Sequence, residues 1–294
     1  MSIRAAISAI ALTLALPVLA QDPLVEALRN YQEGRLATAR ALIDEAVETG
    51  TYAQDPEAWL LRGFVFKDLY KAAPHGSEAD QLRETALQSL MLCMSFDVQK
   101  TYRDNAVQAY DFVAKTFFND AAKALNSSQE DLAIAKFARF KSAMLQLEPT
   151  KPLTDREIQF KNALGTSYTK RYNQDRDSTV WYDMAVNTYQ EVLELDSSNY
   201  GANYNLATLF YNRGVYNIQK IDPEYDIPSI QEIQTVSKEY FQLALPYMLK
   251  AHEMRPDRRE TLLGLEGIYY SLQDGARSEE FRLRYESLPP DDGN

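Results

Sequence analysis

The chain has 294 residues, a formal net charge of −11 and a sequence pI near 4.8. An acidic surface repels phosphate backbones, which argues against nucleic acid as a partner and leaves basic proteins or peptides open. With one cysteine, Cys93, there is no internal disulfide framework, so packing must hold the fold.

The first residues read MSIRAAISAIALTLALPVLA. Arg4 precedes an apolar run from Ala5 to about Ala20, Val18 and Ala20 suit a signal peptidase, and Pro17 interrupts helix just before that site. This predicts a signal peptide over residues 1–20, cleaved after Ala20, and a periplasmic or secreted protein. The run is shorter than the roughly 20 apolar residues a membrane span needs. No later stretch is apolar enough to span, and no cysteine follows the run to carry a lipid. Losing Arg4 would leave a mature net charge of about −12.

Beyond Gln21, glycine is scarce, prolines sit mostly at segment ends, and apolar residues recur at three and four positions. That is helical periodicity throughout. The first helical hairpin is LVEALRNYQEGRLATARALIDEAVE, with Ala27, Gly34, Ala39, Ile43 and Ala46 at spaced positions. The second opens with DPEAWLLRGFVF, where Trp59 is large, Gly63 small and Phe66 aromatic. It closes with Ala86, Leu90 and Cys93 in ETALQSLMLCMSFD. Cys93 lies among apolar neighbours and reads as a buried small hydrophobe. The third, about Tyr102 to Pro149, shows periodicity and a proline exit and little more.

The fourth hairpin carries Leu164, Gly165 and Tyr168, then Ala185, Tyr189 and Val192, with Ser197 at the exit. The fifth, from YGANYNLATLFYNRGVYN, has Leu206, Ala207 and Phe210, with Gly214 and Tyr216 assigned to the turn. It returns with Ala244, Met248, Ala251 and Pro256. The sixth has Leu262, Leu265 and Tyr269, with Glu266 where a small residue is expected.

Large residues where helices meet broadly, small ones where backbones approach and a breaker at the exit are what a stacking hairpin needs. The series resembles the tetratricopeptide repeat, whose period is about 34. The resemblance implies an all-α, right-handed superhelical solenoid of antiparallel helix pairs. About six degenerate repeats would occupy residues 21–288, with a flexible tail over 289–294.

The small residue of the second helix follows that of the first by 12 positions from Ala27 to Ala39, but by 23 from Gly63 to Ala86, 20 from Gly165 to Ala185 and 37 from Ala207 to Ala244. The excess falls inside hairpins, which preserves stacking and lengthens one edge. The largest insertion contains IDPEYDIP, where both X-Pro steps favour a turn. The flanks predict longer helices, the second from about Ser229 and kinked at Pro246. Asp222, Glu224, Tyr225 and Asp226 are candidates for a docking prong at the tip.

Chemistry-bearing motifs are absent. His75 lies in a loop, and His252 lies near a helix end, where a cation would suit the dipole. No HExxH, cysteine/histidine cluster, calcium loop, P-loop or nucleophile elbow occurs. We therefore expect no catalytic residue, metal or cofactor, and no enzyme.

What remains is a surface. In the family the chain resembles, side chains of the first helices line the concave groove. The resemblance places there Phe64, Lys67, Asn162, Thr166, Lys170, Tyr204, Thr208, Tyr211, Asn212 and Tyr270, with Leu263 beside the last. Tyrosine and amide side chains suit adaptable contact. The expected function is a non-enzymatic interaction or scaffold module of the bacterial cell envelope, binding a protein or peptide, with a basic partner favoured by net charge. The alternative is a small-ligand-binding protein accessory to an envelope transporter, with the inserted edges closing a pocket.

Overall fold

A computed structural model describes residues 22–73 and 76–289. The expected signal segment, His75 and nearly all of the expected tail lie outside the described residues. Among the described residues there are twelve helices and no strand: α1 (Pro23–Gln32), α2 (Leu36–Glu48), α3 (Pro56–Ala72), α4 (Ser77–Phe96), α5 (Arg103–Asn126), α6 (Glu130–Leu147), α7 (Thr154–Gln174), α8 (Thr179–Leu195), α9 (Tyr200–Gln219), α10 (Ile227–Met254), α11 (Arg259–Ser271) and α12 (Gly275–Ser287). The architecture is all-α, built of tetratricopeptide-like antiparallel helix pairs. It divides into two compact units, meeting in the chain at Val113–Ala114 within α5.

Helix starts follow capping chemistry. Asp22, Asp55, Asn199, Asp226 and Asp274 each accept a backbone N–H of the first turn through the side chain. Pro23, Pro56 and Pro228 occupy first-turn positions, where a missing N–H is harmless.

Three turns share one geometry. Gly34, Ser128 and Gln273 all have positive φ, at 76°, 55° and 66°. In each case the next residue donates its N–H to a carbonyl five positions back: Arg35 to Asn30, Gln129 to Ala124 and Asp274 to Tyr269. This is the Schellman closure, which favours glycine at the left-handed position. These hairpins keep the 12-residue spacing: Ala27 to Ala39, Ala121 to Ala133, and Glu266 to Ser278. Ala121 and Ala133 are wholly buried, which gives the third hairpin the register its sequence did not reveal. Glu266 does hold the sixth hairpin's close position, and the Ser278 hydroxyl donates to its carbonyl at 3.1 Å.

In the first unit, Ala27, Ala39, Ile43, Ala46, Ala58, Leu61 and Val65 form a core shared by α1, α2 and α3. Gly63 is where α3 meets α4: a Cβ there would lie 2.6 Å from Leu90. Cys93 is fully buried, and burial pushes its thiol up to about 12, so it packs as a hydrophobe and is not a nucleophile.

In the second unit, Phe118 meets Phe137 and Phe140 edge-on across α5 and α6, and Phe137 stacks on Phe160 of α7 at 4.1 Å. Buried Glu130 accepts from Ser167 at 2.7 Å and from Arg171 at 3.1 Å. Burial opposes its charge, yet these donors hold the carboxyl below its usual range. Gly165 repeats the role of Gly63 against Tyr189.

The excess residues of the fifth hairpin form helix on both sides of the connection Lys220–Asp226, so α9 and α10 run long together. Gly214, expected in the turn, lies inside α9. A Cβ there would lie 2.6 Å from the Phe241 ring and 2.9 Å from the Ser237 carbonyl oxygen. It is a second close-approach position in this hairpin, after Ala207, needed because the added turns pack as tightly as the repeat itself. α10 starts at Ile227 and continues unbroken past Pro246.

The added turns also grip the neighbouring hairpin. Arg213 donates to the Arg176 carbonyl at 2.8 Å and to the Tyr172 hydroxyl at 3.3 Å, and its guanidinium lies 5.7 to 6.0 Å from the rings of Tyr172, Tyr182 and Tyr216. Asp177, in the same α7–α8 connection, accepts from Tyr216 at 3.0 Å and from Lys220.

His252 departs from expectation. Its ring meets Phe281 edge-on at 5.4 Å, and burial, followed by nearby Arg284, lowers its pKa. The imidazole is a half-buried packing group, and desolvation outweighs the favourable helix end.

Candidate functional site

The first unit contains a trough between two first helices. α3 contributes Phe64, Lys67 and Lys71, and α5 contributes Asn105, Gln108, Ala109 and Phe112, around a hollow of about 260 Å³. Spacings of three, four and seven put each set on one helix face. Phe64 and Lys67 were expected here. The α5 wall was not, because the third hairpin's pattern gave no register. Its Asn105–Gln108–Ala109–Phe112 spacing was the available signal.

Asp68 organises the cationic wall. Its Oδ1 accepts from Lys67 and from Lys71, both at 2.9 Å, and its Oδ2 accepts from the Tyr31 hydroxyl of α1 at 2.7 Å. Burial opposes the carboxylate, but the bonds from Lys67, Tyr31 and Lys71 hold its pKa below the usual range. Tyr31 is pushed up, first by burial and then by its bond to Asp68. The Lys67 ammonium lies 5.3 Å from the Phe64 ring centroid, and that of Lys71 lies 5.0 Å from the Phe112 centroid. A second hollow of about 440 Å³ sits at the α4–α5 connection beside Pro56, Phe96 and Val98. There Asp97 accepts from the backbone N–H groups of Thr101 and Tyr102.

In the second unit the expected groove residues divide by role. Asn162 donates to the Asn199 side chain at 3.2 Å, and its own Oδ1 is buried without a hydrogen bond. Thr166 bonds the Asn162 carbonyl at 2.9 Å and approaches the Tyr189 hydroxyl at 3.3 Å, while Lys170 is exposed. Tyr204 stacks on Tyr200 at 6.0 Å, and Thr208 donates to the Tyr204 carbonyl. Tyr211 is a spacer: it packs on Phe241 at 5.6 Å, and its hydroxyl fills the space over Gly267 of α11. Asn212 is half-buried, and Leu263 and Tyr270 are exposed, Tyr270 by 77%. Most of these residues are held by separate contacts.

The tip residues of the fifth hairpin have local duties. Asp222 accepts the Glu224 N–H at 2.8 Å, and Asp226 caps α10 by accepting the Ser229 N–H at 3.0 Å; the Ser229 hydroxyl first, and then this N–H, lower its pKa. Glu224 is exposed, as are Tyr225 and Ile227, by 47% and 71%.

Among the described residues no group of three or more histidine, cysteine or carboxylate side chains is placed to hold a metal ion. No helix among them is long and apolar enough to cross a membrane.

No protein-family profile matches the chain. No curated protein matches it. Among solved structures it is similar to a human IFIT1 dimer with m7Gppp-AAAA, at 11% identity and a TM-score of 0.39, over 92% of this chain and 51% of that one. It is similar to PilF of Pseudomonas aeruginosa at 12% identity and a TM-score of 0.36, over 92% and 91% of the two chains. It is also similar to PilW, a widely conserved type IV pilus biogenesis factor, at 13% identity and 0.35, over 90% and 91%. The chain spans about half the length of IFIT1. Likenesses at this level carry no residue role or partner across to this chain.

Proposed function

We propose that the chain is a non-enzymatic interaction scaffold of the bacterial cell envelope that docks a peptide or protein segment along the face made by its first helices. The trough of α3 and α5 carries this reading. It combines apolar walls, two ordered ammonium groups and two amides, which are the means by which an extended chain is held by its backbone and one side chain. The signal-like residues 1–20 support export. The alternative, a transporter accessory with a ligand pocket closed by the insertions, is less favoured. In the fifth hairpin the added residues are helical turns packed on each other and on the α7–α8 connection.

Site-specific photo-crosslinking in the native envelope tests the proposal. A crosslinker at Phe112 gives a discrete adduct, and one at Gln88, exposed on α4, gives none. Equal labelling at both positions, or none at Phe112, removes the support for docking on this face.

A further inference from the structure

We propose that the trough of the first unit selects an acidic segment bearing one apolar side chain, with the carboxylates of that segment on the α3 wall. This rests on the docking reading above and adds the partner's chemistry. The net charge of −11 favours basic partners for the surface at large, but the lining of the trough has the opposite sign. Its charged groups are Lys67 and Lys71. Asp68 receives both ammonium groups and the Tyr31 hydroxyl, so one carboxylate faces two cations and its charge offsets only one of them. One net positive charge is left, and each ammonium keeps further N–H donors. The Lys67 side chain is only 16% exposed, so its charge is weakly screened.

The apolar demand comes from the two rings. Phe112 is 44% exposed on one side of the hollow, and Phe64 faces it from α3. A volume of about 260 Å³ admits one side chain of a partner and not a folded surface. Asn105 and Gln108 offer both donors and acceptors to an extended backbone.

The test is fluorescence anisotropy of the full chain with three end-blocked heptapeptides. Each has phenylalanine at its centre, flanked by aspartate, by serine or by lysine. The expected order is aspartate, then serine, then lysine, with the aspartate peptide about tenfold tighter than the serine one, as one charge-assisted contact supplies. High salt erases that difference. Lys71→Glu, at a side chain 49% exposed, reverses the order, and the double change Lys67→Gln with Lys71→Gln levels it. Unfolding midpoints of the variants exclude misfolding as the cause. Serine and aspartate peptides binding alike, both weakened by Phe112→Ala, would overturn the acidic preference while leaving docking intact. No binding by any of the three at millimolar concentration overturns both.

Discussion

Gly214 of α9 faces the ring of Phe241 on α10, so closely that a Cβ would lie 2.6 Å from Cε1. It would also lie 2.9 Å from the backbone oxygen of Ser237, which cannot move without bending α10. Gly214→Ala is therefore expected to destabilise the protein by about 1–3 kcal/mol, as overpacking does. Gly264 gives the contrast. Its Cβ would meet the flexible methyl end of Met248 at 2.4 Å. Gly264→Ala should cost less, because the thioether can swing aside and alanine gains up to about 1 kcal/mol in helix propensity. Urea midpoints of the two variants measure the difference.

Arg213 ties α9 to the carbonyl of Arg176 and to the Tyr172 hydroxyl. Arg213→Met keeps much of the side-chain volume and leaves that carbonyl without its donor, so a loss of about 1–3 kcal/mol is expected. Hydrogen exchange should quicken in residues 175–178 and 220–226 and stay unchanged in α1 and α2. Uniform quickening over the whole chain would contradict a local latch.

Ser128 and Gln273 hold left-handed backbone at positions where the first hairpin has Gly34. Ser128→Gly and Gln273→Gly should each stabilise the fold by about 0.5–1 kcal/mol, since left-handed backbone is strained in side-chain-bearing residues. A lower thermal midpoint in either variant would count against this account of the turns.

His252 has a folded pKa lowered by burial and then by Arg284. The unfolded chain, near the reference value of about 6.5, then binds the proton more readily. Stability is present above that value and is lost as pH falls below it, at no more than about 1.4 kcal/mol per pH unit for one proton. His252→Leu should flatten the stability profile between about pH 7 and pH 5. His75 is common to both proteins and cancels in the comparison.

Asp226 caps α10, so Asp226→Ala should lower stability by about 1 kcal/mol. Tyr225→Ala, at an exposed side chain, should change it by less than about 0.5 kcal/mol. If Asp226→Ala leaves the urea midpoint unchanged, the cap does not carry the role that its bond to Ser229 suggests.

The sequence by itself determined the helical period, the close positions Gly63 and Gly165 and the buried Cys93. Each is a local pattern: spacing alone puts a residue on a helix face, and a small residue among large ones marks close approach. It misplaced Gly214, because the repeat pattern assigned that position to the turn and only the partner helix shows how close Ser237 and Phe241 come. It gave no register to the third hairpin, so Asn105, Gln108 and Phe112 stayed out of view. Tertiary structure alone decided that Tyr211 fills the space over Gly267, that Asp68 gathers Lys67, Lys71 and Tyr31, and that Arg213 sits among tyrosines. Those contacts join residues on different helices, and helix periodicity fixes which way a residue faces but not what it meets.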